Sequence, residues 1–242
     1  MGRAGDLRAV LFDAAGTLIE LRESVGSTYA RLAQDFGVDL PAWRVQDAFV
    51  RILSQAPPRA YAAESSREVL RRERDWWREV VRATFLAADS NARFADFPAY
   101  FDVVYRTFSQ PAHWRHRAGC ISALRALRSR GLALGIVSNF DRRLPTLLTG
   151  LGLTALIDVV VLPSDAGAEK PDPRIFALAL QRLRIPADQA VFVGDSHSRD
   201  LAGARAVGMA AIDVGSLATL DELPARLAAG AGSPSKSESE SA

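Results

Sequence analysis

Residues 10–18 read Val-Leu-Phe-Asp-Ala-Ala-Gly-Thr-Leu, and this stretch decides the fold. A short apolar run bounded by small residues is typical of a buried strand. The run ends on the carboxylate of Asp13, and a strand in an α/β sheet delivers such a group into the crevice beyond its carboxyl end. Two residues further on stands Ala15, at a position where a second acid is expected. The stretch therefore predicts a catalytic carboxylate with one partner missing.

The composition is that of a globular protein. Of 242 residues, 48% are hydrophobic and 24% are charged, with a net charge of +2, and no apolar run approaches the length of about 18 residues that a membrane span needs. Arginines alternate with acids along the helical segments, which indicates solvated ion pairs and excludes a nucleic-acid surface. The single cysteine, Cys120, permits no intramolecular disulfide, and residues 1–8 lack an apolar leader. We therefore expect a cytoplasmic protein without membrane or nucleic-acid partners.

Strand-like and helical segments alternate along most of the chain. The pattern predicts strands over residues 8–13, 132–137, 157–162, 190–193 and 209–214. Helices are predicted between them, including residues 142–151 and 198–207, whereas residues 20–115 show apolar residues only at helical spacing and predict four helices. Residues 229–242 have no apolar periodicity and predict a disordered tail. The fold class is therefore α/β, a Rossmann-like parallel sheet with helices on both faces and an inserted helical bundle.

Polar side chains follow the predicted strands at their carboxyl ends. Ser138 follows the second strand, Asp195 the fourth, and Asp200 comes five residues later. Lys170, the one lysine outside the tail, precedes a proline. Because parallel strand ends meet at one edge of a sheet, we expect these groups to converge on Asp13.

The convergence of these groups indicates phosphoryl-transfer chemistry. Three carboxylates repel one another unless a cation lies among them, and oxygen ligands suit Mg²⁺. The hydroxyl of Ser138 and the N–H of Asn139, placed where the next predicted helix begins, favour an anion. A cation, a lysine, a hydroxyl and backbone amides around a carboxylate are the parts that stabilise a phosphoryl group in transfer.

The order Asp13…Gly16-Thr17-Leu18, Ser138, Lys170-Pro171, Gly194-Asp195…Asp200 resembles the four motifs of the haloacid dehalogenase (HAD) superfamily. The resemblance extends from residue 8 to about residue 215. It implies a Rossmann-like core domain of residues 1–19 and 116–228, a helical C1 cap of subfamily I at residues 20–115, and a tail at residues 229–242. Residues 137–144 and 170–176 resemble a hydrolase-like branch with poorly defined substrates.

The resemblance implies a catalytic role for three side chains. Asp13 would attack phosphorus and form an aspartyl-phosphate, Lys170 would stabilise the charge, and Ser138 would orient the phosphoryl group.

The same resemblance assigns binding roles to neighbouring positions. The groups that would hold the phosphoryl group or support its loop are Ala14, Gly16, Thr17 and Asn139. The groups that would hold Mg²⁺ are Asp13, the backbone carbonyl of Ala15, Asp195 and Asp200. The implied substrate is a small phosphorylated metabolite, and the implied assembly is a monomer or a homodimer.

Ala15 departs from the pattern of family phosphatases, which usually carry at this position an aspartate that protonates the leaving oxygen and activates water. A positioned acid/base contributes about 10²–10⁴-fold, so we expect slow turnover. A phosphonatase needs a cap lysine, and residues 20–115 contain none. Dehalogenases carry tyrosine at this position and do not need the Mg²⁺ cluster. Dehalogenation is therefore the weaker alternative, and the other alternative is a phospho-ligand or partner-binding protein on an impaired scaffold.

Five other side chains come into question as a replacement for the missing acid. They are Glu20, Glu23, His113, His116 and His197. Each is expected to be an exposed loop side chain or to form a local hydrogen bond. His197 is the best placed of them, because it lies beside Asp195 in a turn that faces the crevice.

Overall fold

The computed structural model describes residues 7–59 and 65–230. A parallel sheet of five strands lies at its centre, in the order β5-β4-β1-β6-β7. With a two-stranded sheet of β2 and β3, the strands are β1 (Ala9–Phe12), β2 (Ile19–Leu21), β3 (Trp114–His116), β4 (Ala133–Val137), β5 (Val159–Val161), β6 (Ala190–Gly194) and β7 (Ala210–Asp213). The predicted α/β class is confirmed.

The central strand β1 contributes to an apolar core on each face of the sheet. Val10 and Phe12 pack in one core, with Leu124 and Leu134 among their neighbours. Ala9 and Leu11 lie in the other core. Successive side chains of a strand point to opposite faces, so a strand covered on both sides has no polar position. This explains why residues 9–12 form an unbroken apolar run.

Between β3 and residue 230, where the described residues end, the chain forms six α-helices. They cover the two faces of the sheet and are α5 (Cys120–Ser129), α6 (Leu144–Gly150), α7 (Pro163–Ala166), α8 (Pro173–Leu183), α9 (Ala202–Ala206) and α10 (Leu223–Ala228). None of the helices in the described ranges is long and apolar enough to cross a membrane.

In the described part of the chain between β2 and β3 lie four α-helices, which are called here the helical insert. They are α1 (Val25–Gln34), α2 (Ala42–Gln55), α3 (Ser66–Ala88) and α4 (Phe97–Phe108). The first turns of α1, α3 and α4 are capped by Ser24, Ser65 and Asp96, whose side chains accept from backbone N–H groups that have no intrahelical acceptor. The insert has an apolar core of its own, with Tyr29, Phe85 and Tyr100 among its rings.

The chain passes from the sheet to the insert through β2 and returns through β3. The two strands pair antiparallel, with Glu20 opposite Arg115, and the side chains of that pair form an ion pair of 2.8 Å. The sequence pattern did not predict this pair, because each strand has only three residues. It lies where the sequence places the boundaries of the cap, although the division into residues 1–19, 20–115 and 116–228 stays a prediction. Residues 231–242 of the predicted tail lie outside the described residues.

Two helices predicted near the site differ in their first turn from what their sequence pattern indicates. The helix predicted from residue 142 begins at Leu144, because the carboxylate of Asp141 accepts from the N–H of Arg143 at 3.0 Å and holds a turn there. The helix predicted over residues 198–207 begins instead with a π-helical turn, His197–Leu201, before α9. The carbonyl of Ser196 accepts from both Asp200 and Leu201 in that turn.

Candidate active site

The ends of three neighbouring strands bring the predicted site residues to one edge of the sheet. Asp13 follows β1, Ser138 follows β4 and Asp195 follows β6, and β1 lies between the other two strands. Residues that are 125 and 57 positions apart in sequence, counted from Ser138 to Asp13 and to Asp195, therefore line one crevice. The topology places them together as the strand-end argument predicts.

Asp13, Lys170, Asp195 and Asp200 form what we call the Asp13 cluster. The ammonium nitrogen of Lys170 lies 2.7 Å from Oδ1 of Asp13 and 2.6 Å from Oδ1 of Asp200. Lys170 is only 3% exposed. The three carboxylates each present an oxygen within 4.8 Å of the others. One ammonium group therefore faces three carboxylates, and the cluster has a surplus of negative charge.

Asp195 is the exposed member of the Asp13 cluster and has no cationic partner among residues 7–59 and 65–230. Partial desolvation and the charges of Asp13 and Asp200 raise its pKa to about 6. Asp200 is fixed by the turn that precedes α9, since its Oδ2 accepts from the N–H groups of Asp195 and Ser196 at 3.1 Å each. A divalent cation would offset the repulsion, and carboxylate oxygens are its preferred ligands. The donor set therefore fits a hard cation.

The loop after β1 leaves backbone groups free beside Asp13. The N–H groups of Ala14 and Ala15 have no acceptor among the described residues, and the carbonyl of Ala15 accepts no backbone hydrogen bond from them. The N–H of Gly16 donates to the carbonyl of Ile19 at 2.8 Å. The phosphoryl-binding N–H predicted at Gly16 is therefore already used, and those of Ala14 and Ala15 are the free donors of this loop.

Gly16 is required by the shape of this loop. Its φ is +88°, and a Cβ at this position would overlap the carboxylate of Asp195. Its carbonyl accepts from Arg117 at 3.0 Å. The next residue, Thr17, is completely buried, and its hydroxyl has no partner among the residues that the structure describes. The supporting role predicted for Thr17 stays a prediction.

Ser138 and Asn139 are both at the site, but their side chains are used differently. Ser138 is 2% exposed and lines the crevice, and its hydroxyl donates to none of the described residues. Asn139 binds the backbone of Lys170 through two hydrogen bonds, donating Nδ2 to its carbonyl at 2.9 Å and accepting its N–H at 2.7 Å. The side chain of Asn139 thus positions Lys170. Because α6 begins only at Leu144, the N–H of Asn139 does not lie at a helix N-terminus as predicted.

A second buried group of charges lies beside the first and joins the sheet to the helical insert. We call Asp141, Arg143, Arg59, Glu73 and Trp77 the Asp141 cluster. The guanidinium group of Arg143 donates two hydrogen bonds to Asp141, from Nε at 2.9 Å and from Nη2 at 2.5 Å. The indole N–H of Trp77 donates to the same carboxylate at 2.6 Å. Glu73 accepts the N–H of Arg142 at 3.0 Å. Arg59 donates to the carbonyl of Asn139.

Within the Asp141 cluster the charges of Asp141 and Arg143 compensate each other, whereas for Arg59 burial outweighs the neighbouring carboxylates and lowers its pKa. Burial alone would raise the pKa of Asp141, but the charge and hydrogen bonds of Arg143 outweigh it and lower that pKa. Burial raises the pKa of Glu73 to about 7. Sequence reasoning gave this cluster no role. Its one signal in the sequence is the pair Asp141 and Arg143, which lies three and five residues after Ser138 within residues 137–144, the run that resembles a hydrolase-like branch.

No replacement for the missing acid is found among the five proposed side chains. His197 is exposed and contacts Asp213 at 3.1 Å, and His116 contacts the carbonyl of Leu151. Glu20 pairs with Arg115, and Glu23 pairs with Arg31. None of these four, nor His113, lines the crevice.

A cavity of about 410 Å³ opens above Asp13 and continues into the helical insert. The Asp13 cluster, Ser138 and Ala15 line its floor. Its upper wall is formed mainly by apolar and aromatic side chains of the insert, among them Val25, Phe49 and Leu53. Among the described residues that line it, the only carboxylates are Asp13, Asp195 and Asp200, and there is no histidine.

Comparison with known proteins relates this architecture to one family. The family model described as haloacid dehalogenase-like hydrolase matches residues 7–208. The mouse haloacid dehalogenase-like hydrolase domain-containing protein 3 is 40% identical over 84% of this chain and 80% of its own length. A HAD phosphatase from Thermococcus onnurineus is 26% identical, covers 93% of this chain and 99% of its own, and superposes with a TM-score of 0.62.

A more distant structure shows the same fold. The putative beta-phosphoglucomutase from Thermotoga maritima is 22% identical, covers 91% of this chain and 98% of its own, and has a TM-score of 0.66. The family match spans four of the five strands of the central sheet (β1, β4, β5 and β6), the helical insert and all four polar segments of the crevice. The chain therefore belongs to the haloacid dehalogenase-like hydrolases.

Proposed function

We propose that the chain is a Mg²⁺-dependent phosphomonoesterase that works through an aspartyl-phosphate on Asp13. The observation that carries the proposal is the ammonium group of Lys170 held between Asp13 and Asp200, beside the unpaired carboxylate of Asp195. This arrangement presents one nucleophile together with groups that neutralise transferred negative charge. The similar protein from Thermococcus is itself called a phosphatase.

Mg²⁺ would be held by Asp13, Asp195, Asp200 and the carbonyl of Ala15, where it supplies positive charge to the phosphoryl oxygens. The free N–H groups of Ala14 and Ala15 and the hydroxyl of Ser138 bind the phosphoryl group. An oxygen of Asp13 forms a bond to phosphorus while the bond to the ester oxygen breaks. Water then attacks the same phosphorus, and the carboxylate leaves with inorganic phosphate released.

The carboxylate of Asp13 is held in position before any substrate binds. Lys170 holds one of its oxygens at 2.7 Å, and Asn139 fixes the backbone that carries Lys170. Because positioning and charge neutralisation supply most of the catalysis of phosphoryl transfer, this part of the machinery is complete. The missing part is the acid/base at Ala15.

The first test is the hydrolysis of 4-nitrophenyl phosphate with and without Mg²⁺. We expect turnover that is removed by a chelator and by Asp13→Asn, and retained by the matched variant Asp47→Asn, whose side chain is exposed on α2. Turnover that survives Asp13→Asn contradicts the nucleophile.

A second candidate, a phospho-ligand-binding protein, is favoured by Ala15 alone. It predicts that phosphate analogues bind with Mg²⁺ while no ester is turned over. Dehalogenation is tested in parallel by halide release from 2-chloropropionate. The monomer-or-homodimer assembly and the cytoplasmic location stay predictions, which sedimentation and cell fractionation check.

A further inference from the structure

The cavity above Asp13 is unusual in having two chemically different halves. Its floor carries the charged groups of the Asp13 cluster, whereas the walls inside the helical insert carry mainly apolar side chains. Phe49, Phe101 and Phe108 are among the rings that line the insert part. A volume of about 410 Å³ falls within the range of roughly 300–1,000 Å³ in which proteins bind compact organic ligands. The space is much larger than a phosphoryl group needs.

The insert part of the cavity offers little to a sugar or another polyhydroxylated body. Arg143 is paired with Asp141. Arg59 donates Nη2 to the carbonyl of Asn139 and lies 4.4 Å from the ring of Trp76, and its Nε and Nη1, which have no hydrogen-bond partner among the described residues, are buried. A body with many hydroxyl groups would lose hydrogen bonds to water against these walls. An apolar body would gain free energy from the same burial, and aromatic rings would add edge and face contacts.

The chemistry of the floor restricts the leaving group as well. The carboxylates that line the cavity belong to the proposed cation site, and Ala15 cannot donate a proton. The remaining acidic hydroxyls above the floor are those of Tyr29 and Tyr105, and burial raises the pKa of both phenols. A leaving group must therefore depart with little help from a protein acid. A phenol, with a pKa of about 10 as in tyrosine, leaves as an anion more readily than an aliphatic alcohol, whose pKa is much higher.

We propose that the substrate is an aryl phosphomonoester whose aromatic body, larger than one ring, fills the apolar cavity of the insert. This proposal rests on the proposed function and specifies its substrate class. The bond between Asp13 and phosphorus forms as the bond between phosphorus and the phenolic oxygen breaks. The electron pair stays on that oxygen, which then takes a proton from water. The second step releases inorganic phosphate as described above.

The test compares three esters: phenyl phosphate, 2-naphthyl phosphate and benzyl phosphate. We expect kcat/KM for the naphthyl ester to exceed that of the phenyl ester by about tenfold, because the second ring is buried against apolar walls. Benzyl phosphate, whose leaving group is an alkoxide, should be slower than phenyl phosphate by at least about 10²-fold. Ala15→Asp should narrow the gap between benzyl and phenyl esters, since it restores the acid.

Cavity-filling variants locate the aromatic body. Leu53→Trp narrows the cavity from α2, and Leu86→Trp makes the same change at an exposed position of α3. The first should abolish the naphthyl preference and the second should leave it unchanged. Val25→Phe, with exposed Val50→Phe as its control, repeats the comparison from α1 in case Leu53→Trp does not fold.

Two outcomes separate this proposal from the proposed function. If 4-nitrophenyl phosphate is hydrolysed but the naphthyl ester is no better than the phenyl ester, the substrate class is wrong and the phosphatase stands. If no ester is hydrolysed, calorimetry with phenylphosphonate and 2-naphthylphosphonate in the presence of Mg²⁺ still tests whether the cavity binds an aromatic body. Tighter binding of the naphthyl compound then supports an aromatic ligand, and equal binding overturns it.

Discussion

The two buried charge clusters of this protein lie side by side and are built in opposite ways. In the Asp13 cluster one ammonium group faces three carboxylates. In the Asp141 cluster the guanidinium groups of Arg59 and Arg143 face the carboxylates of Asp141 and Glu73. In the Asp141 cluster Asp141 and Arg143 offset each other, and the cluster joins the sheet to the helical insert. The Asp13 cluster keeps a surplus of negative charge that a cation would offset, and the comparison teaches that its uneven charge balance distinguishes the proposed reactive site from the Asp141 cluster.

The largest expected effect comes from unbalancing the Asp141 cluster. Asp141→Ala removes the carboxylate that both Arg143 and Trp77 contact, and leaves a buried guanidinium without its partner. Loss of one member of a buried pair costs about 3–5 kcal/mol. Denaturant unfolding measures this loss, with the exposed Asp47→Ala as the matched control. A change below about 1 kcal/mol would show that Asp141 and Arg143 do not compensate each other as described.

The second effect is on catalysis and belongs to the Asp13 cluster. Lys170→Met removes its one positive charge, and we expect kcat/KM for 4-nitrophenyl phosphate to fall by about 10²–10³-fold, as when a positioned donor to developing charge is lost. Arg174→Met, which removes an exposed cation paired with Asp172, should leave the rate unchanged. An unaltered rate in Lys170→Met would separate Lys170 from the chemistry.

The third effect distinguishes the clusters by their response to metal. Mg²⁺ at about 100 times its dissociation constant should stabilise the protein by about 2.7 kcal/mol, because it binds only the folded state. Asp195→Asn should abolish this stabilisation, whereas Glu73→Gln should keep it. Thermal unfolding with and without Mg²⁺ gives both numbers. Equal stabilisation in the two variants would refute a cation at the Asp13 cluster.

The smallest effect is a pH dependence of the Asp141 cluster. Burial raises the pKa of Glu73 from 4.5 to about 7, so between these values the folded protein holds a proton that the unfolded chain has lost. Stability contributed by Glu73 therefore falls as pH rises from about 4.5 to about 7. Asp141 faces it as a second negative charge, and the Arg59 and Arg142 guanidinium groups oppose both.

The measurement compares the wild type with Glu73→Gln, which cannot titrate. Between pH 5.5 and 6.5 the wild type should lose about 1 kcal/mol of stability relative to the variant. Parallel pH profiles for the two proteins would show that Glu73 titrates near its ordinary pKa.

The fold was largely predictable because its signals are local. Strand β1 is apolar throughout since both its faces are covered, and the helices of the insert repeat apolar residues at helical spacing. Strands of three residues are too short to show a periodic spacing of apolar residues, so the sequence does not predict β2 and β3. The late start of α6 was missed for a different reason. It depends on the carboxylate of Asp141 accepting from the N–H of Arg143, and a side chain that competes with the helix leaves the periodicity intact.

The residues that form the candidate site could be predicted from the sequence, but the roles of some of them could not. Asp13, Ser138, Lys170, Asp195 and Asp200 do come together at one sheet edge, as strand-end positions require. The N–H of Gly16 and the side chain of Asn139, however, are occupied by Ile19 and by the backbone of Lys170. Which backbone donors stay free depends on the turn that the loop adopts, and residue identity does not determine this turn.

The sequence by itself determined the parallel sheet, the polar residues at its strand ends, and the absence of an acid at Ala15. Each of these follows from the order and period of residues along the chain. Only the tertiary structure decided the charge balance of the two clusters and the apolar cavity between them. Trp77 and Asp141 are 64 positions apart, and Glu73 and Arg142 are 69 apart. Contacts over such distances arise when the insert folds back over the sheet, so no local pattern records them.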